Sequence, residues 1–212
     1  TAYFTANVGP EVEFGYRTEQ REILKTAGAS IGLARTELAL DASGAYRASL
    51  LLKVDNRTEP YLEIELPPGA ALWTAHVAGQ PVKPAQTTGQ ANDRVLRIPL
   101  IKTAEGDLDF PVVLKYAGKF QNRLRTLRAV NFPLVRTVNI NVELSQVKLF
   151  VPEDFRWIDF SEPRVEGEDD FAADYVAYRT QQVEKLTQIM RGADEFSKSR
   201  AMYNVKVLEQ EF

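Results

Sequence analysis

From residue 61 to 66 the chain alternates strictly. Leu62, Ile64 and Leu66 fall on one side, Glu63 and Glu65 on the other. A period of two marks a half-buried β-strand. Pro67-Pro68-Gly69 ends it, since proline removes a ladder donor. Similar runs predict strands over 46–54, 71–77, 94–100, 109–116 and 138–151. A strand over 36–40 turns back through Asp41-Ala42-Ser43-Gly44, a four-residue hairpin loop. Residues 55–60 break the chain, Ala78-Gly79-Gln80-Pro81 makes a tight turn, and 83–93 is a polar loop. Short strands at this spacing suggest an antiparallel sandwich or barrel, and the fold predicted is mainly β: an antiparallel β-sandwich, or two small β units.

The pattern changes near Arg164. Glu166, Glu168, Asp169 and Asp170 lead into a long stretch without proline, and acids at a helix start complement its dipole. Val176, Val183, Leu186 and Met190 recur at helical spacing. Gly192-Ala193-Asp194 looks like a break with Asp194 as a cap, and Ala201, Val205, Leu208 and Phe212 follow on one stripe, so the tail reads as one or two amphipathic helices. Tyr175 and Tyr178 are placed to dock this extension. The division is therefore a β region over 1–165 and an amphipathic helical tail over 166–212. From 168 onward the tail has nine acids and six bases, 6 − 9 = −3, which is the whole net charge of the chain. Two hairpin-like segments near 61–84 and 145–164 each run strand, proline, short turn, tryptophan, then a second proline, which suggests a duplicated unit.

Composition narrows the chemistry. The 212 residues include no cysteine and one histidine. Disulfides, thiolate–metal sites, thiol catalysis and multi-histidine metal sites are excluded. A net charge of −3 gives no sign of a strongly basic nucleic-acid binder. The longest uncharged run, 66–82, contains three prolines and two glycines and is no membrane span. The chain begins at Thr1, which reads as a processed product whose targeting peptide has been removed. Asn56-Arg57-Thr58 matches the glycan acceptor pattern but reads better as a turn.

Leu66-Pro67-Pro68-Gly69-Ala70-Ala71-Leu72-Trp73, followed by Val77-Ala78-Gly79-Gln80-Pro81-Val82-Lys83-Pro84, resembles β-sandwich modules of large, uncharacterised exported bacterial cell-envelope or secreted proteins. Val151-Pro152-Glu153-Asp154-Phe155-Arg156-Trp157 looks like a second segment of the same modules. The resemblance covers roughly 45–165 and implies fold and compartment (periplasmic, cell-surface or secreted) but no catalytic residue. The residues themselves read as scaffold: prolines that stop a strand, Gly69 for the turn, and Trp73 as an anchor of the core.

Several groupings carry candidate chemistry. Gly28-Ala29-Ser30-Ile31-Gly32 matches a nucleophile elbow, with Asp41 or Asp55 and then His76 downstream. That motif needs a strand before the serine and a helix after it, whereas 34–40 reads as a strand. His76 alone reads as a half-buried or surface residue. Glu105, Asp107 and Asp109 alternate around Gly106 and offer hard oxygen ligands to Ca²⁺, but a solvated hairpin loop is the simpler reading. Between Lys115 and Arg136 there are six bases and no acid, including Lys119, Arg123, Arg125 and Arg128. They are candidate anion contacts, although dispersed over 22 positions. Tyr61, Trp73 and Trp157 are the candidates for stacking on a sugar, against core packing as the plainer account.

The expectation is a non-enzymatic structural or interaction module of an exported bacterial protein, without cofactor or metal. It would meet a protein partner, or itself, through the C-terminal helices. The first alternative is a carbohydrate-binding module that takes a polysaccharide on exposed aromatics. The second is a hydrolase centred on Ser30. Exposure of the tryptophans separates the binding reading from core packing.

Overall fold

A computed structural model describes residues 28–86, 94–120, 130–153 and 168–210. Ten strands and two helices follow in chain order. They are β1 (Ala29–Leu40), β2 (Ala45–Asn56), β3 (Tyr61–Glu65), β4 (Ala71–Val77), β5 (Gln80–Pro81), β6 (Ala85–Gln86), β7 (Val95–Pro99), β8 (Phe110–Lys119), β9 (Arg136–Thr137), β10 (Val142–Phe150), α1 (Glu168–Gly192) and α2 (Glu195–Gln210). The strands form a six-stranded sheet, β10-β1-β2-β8-β4-β5, and a four-stranded sheet, β6-β7-β3-β9. Neither closes into a barrel. The fold is mostly β with two C-terminal helices.

The alternation at 61–66 does what it predicts. Leu62 and Ile64 are fully buried, while Glu63 and Glu65 face outward and pair with Arg97 at 2.8 Å and Arg94 at 2.9 Å. Leu50, Leu52 and Val54 of β2, Leu114 and Tyr116 of β8, and Leu62 and Ile98 of the smaller sheet belong to one hydrophobic core. The chain crosses repeatedly between the sheets. At the first crossing Asn56 is fully buried, donating from Nδ2 to the carbonyls of Glu59 (2.7 Å) and Ile101 (2.8 Å). The sequon is thus a turn, as its composition suggests, with its amide occupied inside.

The β1–β2 loop is the predicted hairpin. Asp41 Oδ1 accepts from the N–H of Ser43 (2.8 Å) and of Ala45 (3.0 Å), and Gly44 has φ +83°. Ala78 (φ +49°) and Gly79 (φ +79°) make the turn between β4 and β5, the two-residue form that matches strand twist. One pairing departs from the all-antiparallel expectation: β10 lies parallel to β1, in register from Ile31–Val142 to Ala39–Phe150. The two strands of the suggested duplicate, β3 and β10, sit in different sheets with different partners, and the second copy's tryptophan lies outside the described residues.

The tail forms a helical pair. Asp194 caps α2 by accepting from the N–H groups of Phe196 (2.9 Å) and Ser197 (3.1 Å), which holds its carboxyl below the ordinary range. Leu186, Ala201 and Leu208 are buried between the helices, with Val183, Met190 and Val205 packed around them. Val176 is an exception to the predicted stripe and stands exposed. Arg179 Nη2 donates to the Leu208 carbonyl (3.1 Å), so α2 meets α1 near Arg179, and Val176 lies nearly a turn further toward the α1 start. Phe212 lies outside the described residues, and no described helix is long and apolar enough to cross a membrane.

Candidate functional site

The outer face of the six-stranded sheet divides into two ends of different chemistry. At one end α1 crosses it, gripping by side chains one helical turn apart. Tyr178 Oη donates to Asp109 Oδ2 (3.1 Å), Gln182 Nε2 to the same oxygen (2.9 Å), and Lys185 Nζ to Asp109 Oδ1 (3.3 Å) and Asp55 Oδ2 (2.7 Å). Asp109 is buried beneath them. Burial, then the Asp109 charge, pushes the Tyr178 hydroxyl far above its ordinary range. Burial works to lower Lys185, but the two carboxylates overcome it and the amine is raised. Further along, Arg35 bonds Gln146 at 3.1 Å and lies 5.2 Å from the Tyr175 ring centroid. Every polar group here is matched to another: the arrangement docks a helix. The expectation that Tyr175 and Tyr178 dock the tail holds.

This junction accounts for two motifs. A Cβ on Gly32 would come within 2.8 Å of the Tyr178 ring, and one on Gly28 would collide with Thr58 and Glu59. The glycines of the elbow-like motif therefore permit close approach. Ser30 lies within a strand opposite Asp55, and no helix follows it. His76 sits on β4, three strands away across β2 and β8, about 14 Å at ordinary strand spacing. The reading of this stretch as a strand irregularity fits the register shift between Ile31 and Leu33, and Ser30 does not meet His76.

The loop with Glu105, Asp107 and Asp109 is solvated at Glu105 and partly at Asp107, while its other side packs under the helices. Gly106 (φ +89°) lies under α2, where Asn204 Nδ2 donates to its carbonyl (2.7 Å) and Arg200 Nη1 to that of Glu105 (3.2 Å). Asp107 faces Arg200 at 3.3 Å, and Asp109 holds α1. Among the described residues no three His, Asp or Glu side chains gather as a metal site. α1 begins within the acidic run, at Glu168.

The other end of the face is open. Trp73 is 65% exposed, against the expectation that it anchors the core. The cause is a register shift in the β4–β8 pairing. Leu72 opposes Tyr116 and Thr74 opposes Lys115, so Trp73 is the extra residue of a β-bulge, a device that re-aims a side chain. Leu72 before it and Ala75 after it still pack inward. Tyr61 is 43% exposed but belongs to the smaller sheet, in phase with Glu63 and Glu65. Tyr61 and Trp73 thus stand on different sheets and form no single row of aromatics. Trp157, Arg123, Arg125 and Arg128 lie outside the described residues.

Lys119 shares the outer face with Trp73 but stands four residues along β8 beyond Lys115, the residue level with the indole. It stands at the end of β8, exposed on the same outward phase as Lys115. Sequence reading missed Arg47, which joins them: it is outward on β2, opposite Ala117, and so diagonal to both lysines. Its signal was the inward phase of Tyr46, Ala48 and Leu50. Phe150, half exposed, marks the far edge on β10.

No family model and no curated protein matches the chain. Among solved structures it is similar to an M1 zinc metallopeptidase from Deinococcus radiodurans (20% identity, TM-score 0.35), over 43% of this chain and 21% of that one. It is similar to the native LTA4 hydrolase of yeast (8% identity, TM-score 0.35; 44% and 15% covered). It is also similar to the aminopeptidase A of Legionella pneumophila (11% identity, TM-score 0.32; 45% and 11% covered). The chain thus spans about a fifth or less of the length of these proteins. At such scores the likeness bears on neither family nor activity.

Proposed function

We propose that this chain is a non-catalytic interaction module of an exported bacterial protein. Its two sheets pack as a sandwich, and it binds its target with the open end of the six-stranded sheet. The observation that carries this reading is the bulge at Trp73. An indole that would lower the free energy by entering the core, by roughly 2–3 kcal/mol for a large apolar side chain, is instead held in water beside a basic strand. Large exposed aromatics of this kind are typical of binding surfaces. The polar groups at the other end, around Asp109, are matched to one another, which suits a structural joint between helix and sheet. The resemblance of 66–84 to exported bacterial modules supports the compartment.

The test is co-sedimentation of the full chain with isolated bacterial envelope material. The wild type is expected to pellet, and Trp73→Ala to stay in the supernatant with an unchanged circular dichroism spectrum. Equal pelleting of both, or none by either, would overturn the assignment of this face.

A further inference from the structure

We infer that the open end of the six-stranded sheet takes an anionic polysaccharide, one bearing uronate or sulfate groups. This rests on the reading of that face as the binding surface and names its ligand class.

The charge pattern comes first. β2 and β8 pair from Ala45–Lys119 to Val54–Phe110. Over that paired length the outward positions are five on β2, from Ala45 to Lys53, and five on β8, from Pro111 to Lys119; the next outward position on β2 is Asp55, which Lys185 engages at the α1 end. These ten hold four bases, Arg47, Lys53, Lys115 and Lys119, and no acid. Lys53 lies toward the α1 end and is half-buried. The other three are exposed at the open end. Arg47 is diagonal to each lysine across the pair, about 7–8 Å by ordinary sheet geometry. Among the described residues no carboxylate forms an ion pair with any of the three. Like charges so close repel in the absence of a counterion, so the cluster complements a polyanion.

The acids nearest this cluster, Asp41 and Glu37, offset only part of its charge. Asp41 is turned into its own loop, where the Ser43 hydroxyl is the main influence holding its carboxyl below the usual range and Lys119 adds to the effect. Glu37, exposed on β1, is level with Lys148 of β10 and diagonal to Arg47 across the β1–β2 pair, so it offsets part of the Arg47 charge, while Lys115 and Lys119 stand one strand further away.

The surface then selects among polyanions. Between the cations the floor is small and nearly flat: Ser49, Ala117 and Ala71. Trp73 rises from it next to Lys115. A flat floor with an indole at its edge suits an extended chain of rings, because an aromatic face packs against the apolar C–H face of a sugar. An acidic peptide would use a sheet edge or a groove, and this surface is a sheet face.

The experiment uses the full chain and four probes at low salt: alginate (uronate), heparin (sulfate), dextran (neutral) and poly-glutamate (acidic peptide). The variants are W73A, R47S, K115S, K119S and the triple serine variant, all at exposed positions. Folding is checked by circular dichroism and melting temperature. The wild type is expected to bind alginate or heparin at least tenfold more tightly than dextran. Each single serine variant should weaken binding about three- to tenfold and the triple variant abolish it. W73A should weaken it at least fivefold.

Dextran bound as tightly as alginate, with the triple variant unaffected, would overturn the anionic assignment while the reading of the face stands. Poly-glutamate bound as tightly as heparin, with W73A unaffected, would replace the glycan by an acidic protein. No binding to any probe would overturn the ligand class, and envelope sedimentation would still decide the reading beneath it.

Discussion

Removing the Asp109 carboxylate should loosen the helical pair from the sheet. Tyr178 and Gln182 each donate to its Oδ2, at 3.1 and 2.9 Å, and both donors are buried. A hydrogen bond to a charged group contributes roughly 1.5–3 kcal/mol, and a buried donor left unmatched costs a similar amount. The two losses overlap, because both donors share one oxygen and water can enter from the Lys185 side. Lys185 is about a third exposed and keeps Asp55 at 2.7 Å, so its share is small. Asp109→Ala should therefore cost about 3 kcal/mol, and Asp109→Asn, which keeps one oxygen for Tyr178, about half of that. With a urea m-value of about 2 kcal/mol/M for a chain of this size, the Ala variant should unfold at about 1.5 M less urea. Asp107→Ala is the control, since its pair with Arg200 is long and solvent-facing and should cost under about 1 kcal/mol. An Asp109→Ala midpoint within 0.3 M of wild type, or equal losses in both variants, would refute a buried docking role (~0.6 kcal/mol at that m-value).

Gly32→Val places methyl groups where the Tyr178 ring now sits 2.8 Å from a bare Cβ position. It should destabilise by about 1–3 kcal/mol, and hydrogen exchange in α1 should rise first; unchanged protection there would dismiss the close-approach account. The fold should also weaken in alkali. Tyr116 is fully buried with its hydroxyl donating to the Pro133 carbonyl at 2.9 Å, and burial pushes it up to about 12. From about pH 10 the unfolded chain loses a proton that the folded chain keeps, so stability falls by about 1.4 kcal/mol per pH unit up to pH 12. Tyr178 and Tyr46, both raised, act in the same direction. Lys185, raised as well, contributes stability below its ordinary value of 10.5 that is lost as pH rises through its folded value. Equal urea midpoints at pH 8 and 11.5 would contradict this. In a Trp157→Phe variant, Trp73 alone should emit at long wavelength and be readily quenched by iodide; blue-shifted, protected emission would place it in the core.

Local signals in the sequence carried far. Leu62, Ile64 and Leu66 against Glu63 and Glu65 marked a strand and its buried side; Asp41 and Gly44 marked a hairpin; Asp194 marked a helix start. Each depends on neighbours within a few residues. What the sequence hid depends on distant partners. Arg47 and Lys115 are 68 positions apart, and only the β2–β8 register puts them side by side. Of the six bases of 115–136, Lys115 and Lys119 gain Arg47 as a companion from another strand, whereas Arg136 stands on β9 of the smaller sheet. Asp109 read as a loop acid because the helix that buries it begins some sixty residues later. The Trp73 bulge left a faint trace: the inward phase passes from Leu72 to Ala75 and Val77, an odd step. Alanine-rich strands make such a step ambiguous, since alanine fits either face.

The two ends of the sheet should act independently. Lys115 lies six residues along β8 from Asp109, about 20 Å at ordinary strand rise, and no described hydrogen bond or ion pair links them. Sites separated by more than about 10 Å without shared partners combine additively, to within roughly 0.5 kcal/mol. Lys115→Ser should therefore leave the urea midpoint unchanged, alone or combined with Asp109→Ala. In turn, Asp109→Ala should bind the wild-type ligand normally at urea concentrations where it is still folded. Binding loss in Asp109→Ala under those conditions would mean that α1 shapes the open end through the strands. The docking of the helices would then belong to recognition as well as to stability. Additive behaviour would instead show that one sheet carries two separable functions, with α1 stabilising one end and leaving the charge of the other free to meet a ligand.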